Sequence, residues 1–283
     1  MQTALAPSLA SQPQPLSQPI GALLREWRQR RRLSQLDLAL DASISTRHLS
    51  YVETGRATPS RAMVLHLAEQ LEVPLRERNT LLTAAGYAPI YRERALADPA
   101  LQAAREAVEL VLRAHEPNPA LAVDRHWNLI SHNQPVLLLL NGVPPELLAP
   151  PINVLRLSLH PQGLAPKIVN LAAWRSHLFE RLRHQIAVSA DPLLAALLEE
   201  LQGYPAPADD GTHDAIDVNA VAVPLQLRTA AGVLSFISTI TVFGTPVDIT
   251  LSELALETFF PADAATAQAL RHMSDGQKAA KQP

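Results

Sequence analysis

Arg32-Leu33-Ser34-Gln35-Leu36-Asp37-Leu38-Ala39, then Ile44-Ser45-Thr46-Arg47-His48-Leu49-Ser50-Tyr51-Val52-Glu53-Thr54-Gly55 and Pro59-Ser60, decide how the first part of this chain folds. Ser34 opens a helix, with Asp37 three residues on completing a capping box. Ser45 caps the next helix, and Gly55 lies just past its end. The result is two short capped helices joined by a tight turn at Asp41-Ala42-Ser43. The second of them offers Thr46, Arg47, Ser50 and Tyr51 to solvent.

Working outward, Ile20, Leu23, Leu24 and Trp27 fall at the i, i+3, i+4, i+7 spacing of a helix face. Ser60 opens a fourth helix through Leu71, and Pro74 starts a fifth that ends near Gly86. Residues 20–87 are thus expected to form an all-α five-helix domain. Residues 1–19, rich in Pro, Gln, Ser and Ala without a period, read as a disordered arm, and residues 274–283 as a disordered tail.

The chain has 283 residues, 47% hydrophobic and 18% charged, which is enough for two packed domains. It contains no cysteine, so disulfides, thiolate catalysis and cysteine-ligated metal sites are excluded. The first residues lack the basic start and apolar stretch of a signal peptide. The longest leucine-rich run, Val136 to Leu140, is far short of the ~20 residues that a bilayer requires. The expectation is a cytoplasmic protein without membrane insertion. Ile20 to Arg94 holds 12 arginines against 8 acids, whereas the whole chain carries −3, so the remainder carries −7. A basic N-terminal module beside an acidic C-terminal one implies that the first alone faces phosphate.

That charge suits a helix entering the major groove of DNA. Arg47 can donate bidentately to guanine, and Thr46, Ser50 and Tyr51 can meet neighbouring base edges or a thymine methyl. Gln35, Ser45, Arg56, Ser60 and Arg61 surround helix N-termini and suit phosphate contacts that set register. A double-stranded operator with half-sites one turn apart implies a homodimer.

These residues resemble the XRE family of phage-repressor-type helix-turn-helix domains, over all five helices. Its marks are Ser34-Gln35, Leu38-Ala39, Ile44-Ser45, Val52-Glu53, Gly55 and Pro59-Ser60. Leu36 stands where the family is often charged, and Asp41-Ala42-Ser43 replaces the commoner Ala-Gly turn. The resemblance implies that Arg28 and Glu53 pair between the first and third helices, a structural contact.

Beyond residue 87 the period changes. Residues 88–117 read as a linker with a connecting helix, Pro99 to His115. Residues 118–273 read as an α+β domain: a hairpin from Ala120-Leu121-Ala122-Val123-Asp124 and Trp127-Asn128-Leu129-Ile130-Ser131, several helices, a second hairpin (Val218 to Arg228 with Val233 to Phe243), a strand or strand pair from Asp248 to Phe260, and a closing helix to Met273. Asp124-Arg125-His126-Trp127-Asn128, Asn133, Asn153-Val154-Leu155-Arg156-Leu157, His160-Pro161, Trp174 and Asp191-Pro192 resemble the MmyB-like ligand-binding domain, a PAS-like fold. The resemblance implies an apolar pocket suited to fatty-acyl-type ligands. Leu137, Leu138, Trp174, Phe179, Phe236 and Ile240 are the candidate pocket residues, with ordinary core as the competing reading. Trp127 and Asn133 are candidates for a headgroup contact. Asn133 reads equally as the cap of a helix starting at Gln134.

No phosphate loop, nucleophile elbow or zinc-protease motif occurs, so no catalytic residue, cofactor or metal site is assigned. His126 and His132 read as turn histidines, and Asp209 to Asp214 as a solvated acidic loop. Two other readings of the second domain stay open: a protein-interaction or dimerisation module without ligand, and an enzyme acting on a small apolar substrate.

Overall fold

The computed structural model describes residues 18–205, 223–244 and 246–280. The chain divides into two compact units between Ile90 and Tyr91.

In the first unit the expected helices form: α1 (Ile20–Arg30), α2 (Gln35–Asp41), α3 (Thr46–Glu53), α4 (Arg61–Gln70) and α5 (Leu75–Ala84). Three serines stop the chain in extended geometry and accept a backbone N–H with the hydroxyl oxygen: Ser34 from Asp37, Ser45 from His48 and Ser60 from Met63. The Asp37 carboxylate accepts the Ser34 N–H in return, closing the capping box. Leu24, Leu38, Leu49, Val52, Val64, Leu67, Leu81 and Leu82 fill a buried core. Of the helix face read from the sequence, Leu24 and Trp27 are buried, while Ile20 and Leu23 are partly covered.

The second unit comprises α6 (Gln102–Ala114), β1 (Ala120–Val123), β2 (Leu129–His132), α7 (Gln134–Leu139), α8 (Val154–Leu159), α9 (Leu171–Ser189), α10 (Pro192–Gln202), β3 (Leu225–Thr229), β4 (Gly232–Val242), α11 (Ile249–Ser252), β5 (Ala255–Pro261) and α12 (Ala264–Ala280). The strands form one antiparallel sheet in the order β2-β1-β5-β4-β3. Side chains alternate across it. Leu121, Val123, Leu225, Leu227, Leu234, Phe236 and Phe259 join the main core with α9, α10 and α12. Ala120, Ala122 and Leu256 face the other way, against Val108 and Leu112 of α6. This is the expected α+β architecture. Among the described residues no helix is long and apolar enough to cross a membrane.

The structure departs from the sequence reading in four places. The segment expected as a linker belongs to the second unit: Arg94 Nη1 donates to Asp248 Oδ2 at 2.7 Å, Ile249 N–H donates to Arg92 O, and α6 buries its apolar face on the sheet. Asp248 starts a short helix, accepting the Thr250 N–H, so only Ala255–Pro261 of that stretch is strand. The second hairpin begins at Leu225, and Val218 to Ala222 lie outside the described residues, as does the Asp209 to Asp214 loop. The closing helix runs past Met273 to Ala280. Residues 1–17 and 281–283 also lie outside the described residues.

Candidate functional site

The face of α3 follows from its register. Leu49, Val52 and Glu53 turn inward and are buried, which leaves Thr46, Arg47, Ser50 and Tyr51 on the opposite stripe, exposed or partly so. Arg47 and Tyr51, one turn apart, act on each other. Arg47 Nε donates to Tyr51 Oη at 3.0 Å, and the guanidinium sits 5.4 Å from the ring centroid. Arg56 covers the same ring at 6.0 Å. Tyr51 thereby gathers two cations at one end of the stripe while the terminal nitrogens of Arg47 keep their fork.

The residues expected near phosphate divide into two groups. Arg56, Ser60 and Arg61 are exposed around the start of α4, and Ser45 is exposed at the start of α3. Ser45 and Ser60 use their hydroxyl oxygens as caps and retain the O–H donor. Gln35 is used differently: its side-chain Nε2 donates to Glu53 Oε2 at 2.7 Å. What Gln35 can offer outward is its backbone N–H at the first position of α2.

Behind this surface Arg28 and Glu53 form the pair implied by the family resemblance. Nε and Nη2 donate to the two carboxylate oxygens at 2.6 and 2.9 Å, and Arg28 Nη1 donates to Leu33 O at 2.8 Å. Burial would push the Glu53 carboxyl up, but the bonds from Arg28 and Gln35, with the charges of Arg28 and Arg25, outweigh it and hold it below its ordinary value. Gly21 permits this close packing, since a Cβ there would lie 2.4 Å from Val52 O and 2.6 Å from Glu53 O. At the turn between α2 and α3, Ser43 adopts φ 52°, the left-handed conformation that glycine takes most easily.

In the second unit a cavity of ≈ 80 Å³ lies between α7, α8, α9 and the inner face of the sheet. Its wall is apolar, from Val136, Leu139, Leu155, Trp174, Leu178 and Phe259 among others, with Ser158 and Glu257 as the polar members. Ser158 Oγ accepts the Trp174 indole N–H at 3.0 Å. Glu257 is 5% exposed and its Oε1 accepts from Arg181 Nη1 at 2.9 Å. The Arg181 guanidinium lies 4.2 Å from the centroid of the Trp127 ring. Burial, then the adjacent Arg181 charge, keeps the nearby His177 imidazole below its ordinary value.

Of the pocket residues named from sequence, Trp174 alone lines this cavity. Leu137, 45% exposed, and Leu138 lie in a separate open groove of ≈ 800 Å³ on the far side of α7. Phe179 is core under the Arg175 guanidinium, and Phe236 is fully buried against Phe259. Ile240 is 44% exposed, opposite Glu257 across the β4–β5 ladder. Trp127 is buried, with its indole N–H donating to Gln185 Oε1 at 2.9 Å. Asn133 stands at the N-cap position of α7, but its side chain makes no capping bond and is not a free handle. Its Oδ1 accepts the Ala120 N–H at 2.9 Å, and its Nδ2 donates to Leu112 O and Asn118 O at 3.0 and 2.8 Å. Sequence reasoning passed over Glu257, although its place two residues before Phe259 on a strand puts both on the inward face.

The other motif residues hold the frame of the cavity. Asp124 accepts the N–H groups of His126 and Asn128, bending the chain so that Trp127 takes φ 68°. Asn153 caps α8 through the N–H groups of Leu155 and Arg156 and donates to His126 O at 2.7 Å. Asp191 caps α10 and pairs with His126 Nε2 at 2.9 Å. His132 Nδ1 donates to Asn133 O at 3.0 Å.

Residues 19–81 match the family model of a helix-turn-helix domain, and residues 104–273 match that of the MmyB-like transcription regulator ligand binding domain. No curated protein matches the chain. The second match covers most of the chain and the α6-to-α12 unit just described, while the first covers the capped helices around α3. The chain therefore belongs to the MmyB-like transcription regulators, with a DNA-binding helix-turn-helix unit ahead of a ligand-binding domain.

Proposed function

We propose that the protein is a cytoplasmic homodimer that reads a palindromic operator through α3 and changes its affinity for it when an apolar small molecule, of fatty-acyl type, enters the second unit. The stripe Thr46, Arg47, Ser50 and Tyr51, exposed beside Arg56 and Arg61, carries this reading. Arg47 reads guanine, the other three meet adjoining base edges, and Ser45, Ser60, Arg56, Arg61 and the Gln35 backbone N–H hold phosphates. The apolar wall behind α7 and α8 favours a small molecule over a protein partner as the effector of the second unit. At ≈ 80 Å³ the cavity is smaller than the ~150 Å³ that holds a benzene, so an acyl chain has to widen it. Ligand then acts by binding unequally to DNA-competent and DNA-incompetent states.

Selection of bound duplexes from a random pool tests the operator half of this reading. The wild-type chain should enrich one inverted repeat with half-sites about 10 base pairs apart or a multiple of that. Arg47→Ala should bind the pool with flattened preference. Enrichment of an identical motif by both proteins would remove Arg47 from base reading, and no enrichment by either would remove the operator.

A further inference from the structure

α6 is apolar on two faces, and the fold of its own unit uses one of them. Val108 and Leu112 lie buried against the sheet. Ala103, Ala107, Leu110, Val111 and Ala114 make a second stripe, about 100° wide, and all five are exposed. Leu110 is 63% and Val111 46% exposed, at the middle of the stripe. A helix that is apolar around most of its circumference belongs in an interior, so such a stripe in water marks an unfilled contact. The apolar surface runs on past the end of α6. His115 meets Phe260 edge to face, with ring centres 4.8 Å apart, and Phe260 stands opposite Ile237 across the β4–β5 ladder. Phe260 and Ile237 are 45% and 39% exposed on the part of that sheet face that α6 leaves uncovered. We infer that this surface is the dimer interface of the chain, with α6 packed antiparallel against α6 of a second copy.

The occupant follows from the pattern of the stripe and of its edge. Across a twofold axis, residue i that meets j is itself met by j, so the surface has to complement itself. Antiparallel α6 helices crossing between Leu110 and Val111 satisfy this. Leu110 meets Val111 of the other copy at the centre, and Ala107 meets Ala114 on either side, where the small residues let the helices approach. The charges along one edge agree. Glu106 and Arg113, seven residues apart, lie two turns from each other on the same edge. Antiparallel pairing brings Glu106 within two residues' rise, about 3 Å, of Arg113 of the other copy, and does so twice. Parallel pairing would set Glu106 level with Glu106 and Arg113 level with Arg113. Arg113 is exposed and its side chain makes no hydrogen bond or ion pair among the described residues, while Glu106 accepts only from the Gln102 amide at 2.8 Å. Their neighbours Arg105 and Glu109 are engaged within the unit, on Leu96 O and Asp98 O and on Ser131. A stable dimer buries about 800 Å² on each partner, and the continuation onto Phe260 and Ile237 widens the surface beyond the helix stripe toward that area.

This rests on the homodimer proposed above and names where it is held, and the test separates the two. Sedimentation velocity of the full chain over a range of micromolar concentrations reads the mass, and the wild-type protein should run as a dimer of its 30.8 kDa chain. Leu110→Glu should weaken the dimer roughly a hundredfold, because it sets two like charges at the centre of the contact. Leu193→Glu, at a 59% exposed leucine of α10, is the control and should leave the dimer intact. Glu106→Arg and Arg113→Glu should each weaken it about tenfold over the two symmetric pairs, and the double exchange should restore the wild-type value. All these positions are exposed, and circular dichroism confirms that each variant is folded. A dimer as tight in Leu110→Glu as in the wild type would overturn the interface, leaving the homodimer in place and this face to another occupant. A double exchange no tighter than either single variant would overturn the antiparallel pairing. A wild-type monomer throughout would overturn the homodimer and the interface with it.

Discussion

Arg28 holds Glu53 through two parallel bonds of 2.6 and 2.9 Å, joining α1 to α3 beneath the helix that carries the exposed stripe. Removing the carboxylate strands a buried guanidinium, a loss of roughly 3–5 kcal/mol. Arg47 lies on the outside, and its truncation is expected to cost about 0.5 kcal/mol or less. Denaturant unfolding of Glu53→Ala and Arg47→Ala should therefore show a much lower midpoint for the first. Equal midpoints would mean that the pair does not hold α1 on α3.

The same carboxylate gives the first unit an acid limit. The folded-state value of Glu53 lies below its ordinary 4.5, so its contribution is complete above about that pH. The contribution is lost as the pH falls from there through the lowered folded value. Asp191 acts with the same sign in the second unit, where the Leu193 N–H and His126 overcome burial and hold it below its ordinary 3.8. Thermal midpoints should fall steeply below about pH 4.5 in the wild-type chain. In Glu53→Gln that fall should be shallower for the transition of the first unit, and an unchanged slope would remove Glu53 as its source.

Asn133 is best probed by substitutions that separate its two readings. Aspartate caps helices as well as asparagine does, but it has no donors for Leu112 O and Asn118 O. Asn133→Asp should thus destabilise the second unit by about 2–4 kcal/mol, as Asn133→Ala should. A fully stable Asn133→Asp protein would restore the capping reading.

Ser43→Gly should stabilise the first unit by about 0.5–1 kcal/mol, because glycine occupies the left-handed region without the penalty of a Cβ. Denaturant unfolding measures the gain. A loss of stability would show that the conformational entropy of the unfolded glycine outweighs the relief of strain.

Arg56 lies by the start of α4 and has no base-reading role in the scheme above. Arg56→Ala should weaken binding to all duplexes alike and lower the salt slope by about 1. Titrations at two salt concentrations against the selected operator and a scrambled duplex check this, and a loss confined to the operator would move Arg56 among the base-reading residues.

The first unit was legible because its signals are local. Ser34 with Asp37, Ser45 and Ser60 announce helix starts through bonds made three residues away. The second unit depends on partners far apart in sequence. Nothing local says that Glu257 meets Arg181, or that α6 lies on β1 and β5 instead of standing free between domains. Large apolar residues were the wrong guide to the cavity. Phe236 and Phe179 occupy volume that a cavity requires to be vacant, whereas most of the wall is medium-sized leucines and valines between elements, with Trp174 and Phe259 the large residues among them. Gly21 was also unreadable by pattern, since its value lies in the backbone of α3 pressing against it.

The two asparagines have one more implication. The stretch from Pro135 to Ile152, which gives the cavity Val136, Leu139 and Leu140, is moored at each abutment, by Asn133 to the backbone of Leu112, Asn118 and Ala120 and by Asn153 to that of His126, and once between them, where Lys167 Nζ donates to Asn141 O. It resembles a bridge span fixed at both banks. A guest larger than the present space cannot slide such a span sideways as a block, so it must bow it. The greatest excursion then falls between the Asn133 mooring and the Asn141 tether, on the α7 residues Val136, Leu139 and Leu140 that face the cavity, and not at either end.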